Sequence, residues 1–256
     1  MSFNPPEYLS PSSLSTFKQC PLRFKYTKID GVREPDTEAT VLGSFIHEIL
    51  EFLFALPADE RTLPAARAIA NAAWNENGWR NRVIGVIGAD ETILRKFRWD
   101  AWWRVENYFG MESPSEIEPV GLEYEVTGEI EGVRIKGFVD RWSEGPNGII
   151  VSDYKTGKTP APRYRDDKFT QLFIYALMIN HKLSRVPASV ELLYLKDGTR
   201  LTSEVTEDTL KSTTEMLITT NNEIMQRCES GDFEYKTSKL CKFCTFKSVC
   251  PAWRKQ

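Results

Sequence analysis

The chain has 256 residues, a formal net charge of −3, 41% hydrophobic residues and 27% charged residues. These proportions fit a globular protein with a sizeable core and exclude a disordered or fibrous chain. They also exclude a polypeptide that coats nucleic acid through overall positive charge, so any such contact must be local. No stretch resembles a secretory signal, and no apolar run approaches about 18 residues, so the chain reads as cytoplasmic with no membrane partner. Five cysteines in such a chain point to metal binding or a reactive thiol rather than to a disulfide framework.

Residues 1–11 are rich in Pro and Ser and read as extended surface chain. Ser12 or Ser13 then caps a helix carrying Leu14, Phe17 and Cys20, and Pro21 opens a further helical turn. Over 38–55, Leu42, Phe45, Ile46, Ile49, Leu50 and Leu53 recur at helical spacing, and Pro57 ends the run. Helices are also expected over 64–80 and 91–109. The second holds Phe97, Trp99, Trp102, Trp103, Tyr108 and Phe109, which read as core packing, with base stacking on one exposed ring as the alternative. After Pro114 the pattern turns to strands at 119–127, 133–142 and 148–154, with Glu144-Gly145-Pro146-Asn147-Gly148 as a clear turn. A helix at 168–182, strands at 188–196 and 200–205, a long helix at 206–229 and a cysteine-rich tail complete the chain. This order predicts an α/β layered architecture.

The central chemical signal is Gly137-Phe138-Val139-Asp140-Arg141, a turn, and then Asp153-Tyr154-Lys155-Thr156-Gly157. Side chains alternate along a strand, so Asp153 and Lys155 share a face, and a hairpin return brings Asp140 alongside. Two adjacent carboxylates repel and raise each other's pKa, which a divalent cation relieves; oxygen ligands suit Mg²⁺ or Mn²⁺. Such a cation polarises a scissile phosphate, and the lysine can hold water or stabilise charge on the phosphate. The competing reading is two charged dipeptides on an amphipathic hairpin; the apolar run leading into Asp153 favours the site.

Glu123 is a weaker acidic candidate, and Glu125 shares its face by parity, so the sequence leaves the two open. From the residues alone, His47 at the edge of its apolar stripe reads as an ordinary structural histidine. Gln171 and Tyr175 are four apart, share a helix face and can hydrogen-bond to a phosphate or a base. Gly157-Lys158-Thr159 looks like the end of a phosphate-binding loop, but Ser152 stands where its first glycine is required, so no ATPase is expected.

Cys241-x₂-Cys244-x₅-Cys250-Pro251 is compact, and Cys20 at the other end of the chain also sits in a Cys-Pro pair. Four thiolates suit either tetrahedral Zn²⁺ or a [4Fe–4S] cluster, and spacing does not choose between them. Closing the chain between these cysteines costs about 5 kcal/mol of entropy, which metal–thiolate bonds exceed. Cys228 has no partner spacing and reads as a structural or free thiol. Basic residues gather in three places: Lys18, Arg23, Lys25, Lys28 and Arg33; Lys158, Arg163, Arg165 and Lys168; and Lys236, Lys239, Lys242, Lys247, Arg254 and Lys255. Together they offer phosphates a basic surface around an acidic centre.

These motifs resemble the RecB-like nucleases of the PD-(D/E)xK superfamily. The two strand motifs are similar to the G-x-[IV]-D-R and D-Y-K-T-G signature of that family. Gly43-Ser44-Phe45-Ile46-His47 resembles its G-x-x-x-H motif, Gln171-Leu172-Phe173-Ile174-Tyr175 its Q-x-x-x-Y motif, and the four cysteines its iron–sulfur subgroup. The resemblance implies a restriction-endonuclease-like α/β core, a mixed central sheet flanked by helices, and one nuclease domain over 1–256. Within it, 1–37 and 230–256 would be cluster-binding ends, 38–113 a helical region and 114–229 the catalytic core. It implies that His47, Asp140, Asp153 and the Tyr154 backbone carbonyl bind the metal, and that His47, Asp140, Asp153 and Lys155 are catalytic. It further implies that Gln171 and Tyr175 bind DNA, and that Cys20, Cys241, Cys244 and Cys250 hold a [4Fe–4S] cluster rather than Zn²⁺. The cluster would hold in place the helices that deliver His47.

The implied function is metal-dependent hydrolysis of DNA, as an exonuclease on ends or single strands. A separate helicase, or recombination or CRISPR-adaptation proteins, are the implied partners. A non-cutting DNA-binding or scaffold subunit of such a complex is the alternative, and an RNA nuclease a third reading.

Overall fold

The computed structural model describes residues 2–254. Helices α1 (Pro11–Gln19) and α2 (Pro21–Phe24) come first, followed by a π turn at Lys25–Ile29. Four helices follow: α3 (Glu38–Phe54), α4 (Leu63–Asn75), α5 (Trp79–Ile87) and α6 (Glu91–Phe109). The strands are β1 (Glu118–Ile130), β2 (Val133–Gly145), β3 (Gly148–Lys155), β4 (Ser189–Tyr194) and β5 (Thr199–Glu204), with α7 (Thr170–Leu183) between β3 and β4. Helices α8 (Glu207–Ser230) and α9 (Pro251–Arg254) close the chain. Among the described residues, no helix is long and apolar enough to cross a membrane.

The five strands form a mixed sheet in the order β1-β2-β3-β4-β5. Strands β2 and β3 pair antiparallel, β3 and β4 parallel, and β4 and β5 antiparallel. A parallel pair needs a crossover rather than a tight turn, and α7 supplies it. The result is the expected restriction-endonuclease-like α/β arrangement of a mixed sheet with flanking helices.

The chain divides into two compact units. One comprises Asp36–Glu125 and Phe138–Thr206. Its core is built on α3, where Val41, Phe45, Ile46, Ile49, Leu50 and Leu53 are buried together with Leu94, Phe97 and Tyr108 of α6 and Tyr154 of β3. Thr37 caps α3 through its side chain, with Thr40 returning the bond. The sequence pattern predicts one helix over 64–80. The structure ends α4 at Asn75 and starts α5 at Trp79, because Gly78 takes a left-handed φ of 80°.

The other unit comprises Met1–Pro35, Val126–Gly137 and Glu207–Gln256. Here the first helix is capped by Ser10, not by Ser12 or Ser13. Its hydroxyl accepts from the Ser13 amide, and Pro11 occupies the first helical turn, where its missing N–H costs nothing. The two ends of the chain meet in this unit. The Leu22 amide donates to the Glu234 carbonyl at 3.1 Å, and the Tyr26 and Phe246 rings lie 4.9 Å apart. Glu34 joins them again, pairing with Arg23 at 2.8 Å and accepting from the Thr245 hydroxyl at 2.9 Å.

Candidate active site

Strand alternation sets the chemistry at the end of β3. The ladder between β2 and β3 runs as far as Arg141↔Ser152. Beyond it, the Asp140 carboxylate replaces the backbone and accepts the Tyr154 amide at 2.8 Å. Asp153 and Lys155 point to one face, as period-two alternation predicts, and form an ion pair at 2.5 Å. Asp153 is buried at 3% exposure, so its charge needs that partner.

Helix α3 brings His47 to this edge. Its Nε2 lies 3.0 Å from the Tyr154 carbonyl oxygen. Its Nδ1 lies 3.3 Å from Glu123 Oε1 and 3.6 Å from Asp140 Oδ2. Ligand atoms of His47, Glu123 and Asp140 all fall within 4.8 Å of one another. Glu123, which parity could not separate from Glu125, is thus the acid at the site. It has a positive φ of 39°, a break in β1 that no sequence pattern announces, while Glu125 is exposed.

The electrostatics show what this cluster lacks. Burial pushes the Asp140 carboxyl up, and the neighbouring Asp153 charge adds to it, giving a value of about 7. For His47, burial works downward but is outweighed by the Glu123 bond and the charges of Asp140 and Asp153, and the imidazole rises to about 9. Both shifts have one origin, the gathering of carboxylates around a single buried imidazole. A divalent cation fits the same donor set, an imidazole and carboxylate oxygens beside a backbone carbonyl.

The sequence aims Gln171 and Tyr175 at nucleic acid. In the structure they continue the polar line from the acids. Lys155 Nζ lies 3.5 Å from Gln171 Oε1, and Gln171 Nε2 donates to the Tyr175 hydroxyl at 3.3 Å. Tyr175 is 4% exposed, and burial pushes its hydroxyl up to about 12. After β3, Lys158, Arg163 and Lys168 are exposed on the segment that leads back to α7.

The opposite face of the same strands is anchored by Arg141, the last residue of the first strand motif, and by Arg104, which lies outside every motif. Arg141 is 1% exposed. Its guanidinium donates to both Glu112 oxygens at 2.7 and 2.9 Å, and to the hydroxyls of Tyr108, Tyr154 and Ser152 at 3.0–3.2 Å. Tyr154 thus serves both faces, its carbonyl beside His47 and its ring held by Arg141. Arg104 of α6, also buried, donates to the Thr156 carbonyl at 2.9 Å and fixes the chain as it leaves β3.

The model of the PD-(D/E)XK nuclease superfamily matches residues 8–251. The chain belongs to that superfamily. As a PD-(D/E)XK nuclease, it is a hydrolase that depends on a divalent metal, and His47, Glu123 and Asp140 can bind one. This nuclease is 23% identical to the gene 69 protein of Mycobacterium phage L5, over 96% of each chain. It is 22% identical to the gene 69 protein of Mycobacterium phage D29, over 96% of this chain and 97% of that one. Its fold resembles the crystal structure of a candidate exonuclease from Eubacterium rectale, with a TM-score of 0.51 at 14% identity, over 98% of this chain and 88% of the other.

In the other unit, Cys20, Cys241, Cys244 and Cys250 line one small cavity, and all are free thiols. Cys228 is apart from them, buried on α8. Of the basic residues beside these cysteines, Arg23 pairs with Glu34 and Lys25 with Asp30. Lys255 lies outside the described residues.

Proposed function

We propose that this nuclease is a deoxyribonuclease that hydrolyses phosphodiester bonds as an exonuclease, on DNA ends or single strands. The observation that carries the hydrolytic reading is the meeting of His47, Asp140 and the Asp153–Lys155 pair at the end of β3. The choice of DNA and of ends follows the RecB-like resemblance.

In this reading His47, Asp140, Asp153 and the Tyr154 carbonyl would hold the cation, with Glu123 orienting the imidazole through Nδ1. The cation would supply Lewis-acid stabilisation of the phosphate. Lys155 presents its ammonium where charge develops on the phosphate, and Asp153 and Gln171 fix its direction. Arg141 and Arg104 keep the strands that carry these groups from moving.

We further propose that the four cysteines bind a [4Fe–4S] cluster. All four line one cavity, and four thiolates suit such a cluster. The choice of a cluster over Zn²⁺ follows the RecB-like resemblance.

Anaerobic purification with iron and zinc analysis, followed by a Mn²⁺ assay on end-labelled single- and double-stranded DNA, tests both parts. A brown, iron-containing protein that shortens labelled DNA is expected, and Asp153→Ala should abolish cutting while the fold persists. Full activity in Asp153→Ala would sink the assignment. Tight DNA binding with no cleavage would favour the scaffold reading, and zinc without iron would replace the cluster.

A further inference from the structure

Helices α4 and α6 build a surface that the catalytic site does not use. They border a groove of about 190 Å³ lined by Arg67, Asn71, Arg95, Arg98, Trp99 and Trp102. Its floor is Phe45 and Ile49 of α3. Both are two residues from His47, and at 100° per residue that places the histidine on the far side of α3. The groove is therefore separate from the metal site.

The aromatics of α6 divide by helical phase. Phe97 and Tyr108 are in the core, while Trp99 is 62% exposed and Trp103 is 51% exposed. A fully polar face would satisfy solvent; two open indoles cost free energy unless something covers them. Arg95, Trp99 and Trp103 are spaced at i, i+4 and i+8, so they form one stripe with about 6 Å between successive residues along the axis. Arg67 lies over the Trp102 ring at 4.8 Å and Arg98 over the Trp74 ring at 5.3 Å, and Arg98 donates to Asn71 at 3.1 Å. These contacts orient the guanidiniums without neutralising them: among the described residues no carboxylate pairs with Arg67, Arg95 or Arg98. The indole N–H of Trp102 is buried and also has no partner.

Uncompensated arginines beside open ring faces match a polyanion with flat apolar units. We propose that the α4–α6 face is a second nucleic-acid site. A single strand would lie across it, with bases stacked on Trp99 and Trp103 and phosphates over Arg67, Arg95 and Arg98. An acidic peptide would satisfy the charges but leave both indoles uncovered. The proposal rests on the nuclease reading for its ligand and deepens it. The site would grip a stretch of strand remote from the scissile bond and retain it between cuts.

The test is anisotropy of a fluorescein-labelled oligothymidylate in EDTA, which prevents cleavage, over a range of salt. Trp99→Ala with Trp103→Ala should weaken binding about tenfold or more. Arg67→Gln with Arg95→Gln and Arg98→Gln should flatten the slope of log K against log salt by about two. A 5-iodouridine strand should photo-crosslink to the tryptic peptide Trp99–Arg104. Should the tryptophan variant not fold, Arg95→Glu, on an exposed residue, must still weaken binding. Wild-type binding by all variants, crosslinks confined to other peptides, or equal displacement by polyglutamate would overturn the site. Wild-type protein that cuts DNA while every variant binds normally defeats the groove and leaves the nuclease standing. Wild-type protein that binds through the groove and cuts nothing under Mn²⁺ defeats the nuclease reading alone.

Discussion

Arg141→Met removes the buried cation on the face opposite Asp140. Glu112 is 5% exposed at its side chain and would keep one charged partner, Arg200 at 3.0 Å, itself 39% exposed. Removing one member of a buried pair costs about 3–5 kcal/mol, and the remaining arginine places this case at the low end, about 3 kcal/mol. In a chain of this size that lowers the midpoint of thermal unfolding by about 6–12 °C. Replacing both partners, Arg141→Met with Glu112→Met, leaves no unpaired charge and should recover most of the loss. The assay is thermal unfolding followed by circular dichroism, on wild type, both single variants and the double variant. A single variant as stable as wild type, or a double variant no better than the worse single, would refute the view that Arg141 acts as a buried counter-ion.

Further outcomes follow from the same geometry. Burial pushes the Glu112 carboxyl up, but the Arg141 guanidinium outweighs it and holds the group below its ordinary value of 4.5. A depressed carboxylate adds stability above its unfolded value, and that stability is lost as pH falls through the folded one. Wild type should therefore destabilise more steeply below about pH 4.5 than the Glu112→Met/Arg141→Met double variant, as acid titration of the melting midpoint will show. Glu123→Gln loosens the hold on His47 Nδ1 and should raise the Mn²⁺ concentration needed for half-maximal cleavage about 10–100-fold; an unchanged metal titration would count against that role. Cys244→Ser should strip iron from the protein and Cys228→Ser should not, by metal analysis of the purified variants. Gly121→Ala would place a Cβ 1.6 Å from Trp142 Nε1. Trp142 is buried, so the variant should lose about 1–3 kcal/mol or more in urea titration.

Much of the fold was legible because the sequence is locally consistent. The stripe through Leu42, Ile46, Ile49 and Leu53 specifies α3, and the apolar run Ile149–Val151 specifies the buried start of β3. That Asp153 and Lys155 share a face follows from strand parity alone; their ion pair does not. Three features were not legible, each for a physical reason. Glu123 could not be chosen over Glu125 because its positive φ breaks the regularity on which parity rests. The burial of Arg141 was not legible because a charged dipeptide reads as surface, although alternation puts Arg141 on the face opposite Asp140. The cap is Ser10 rather than Ser12 or Ser13 because Pro11, which has no N–H to leave unpaired, starts the helix ahead of those hydroxyls.

The contacts at the site differ widely in how far apart along the chain their partners lie. Asp140 reaches the Tyr154 amide across 14 positions, within one hairpin. His47 reaches the Tyr154 carbonyl across 107. On loop-closure entropy the second contact costs about 2 kcal/mol more to form than the first. Loop-closure entropy therefore favours drawing Asp140 and Asp153 together before His47 joins them. Docking of α3 would then complete the candidate metal site. On a ribosome, a chain whose hairpin has formed but whose α3 has not docked holds Asp140 and the Asp153–Lys155 pair without the His47 imidazole. Such a chain carries the strand motifs of a nuclease without an assembled cutting site.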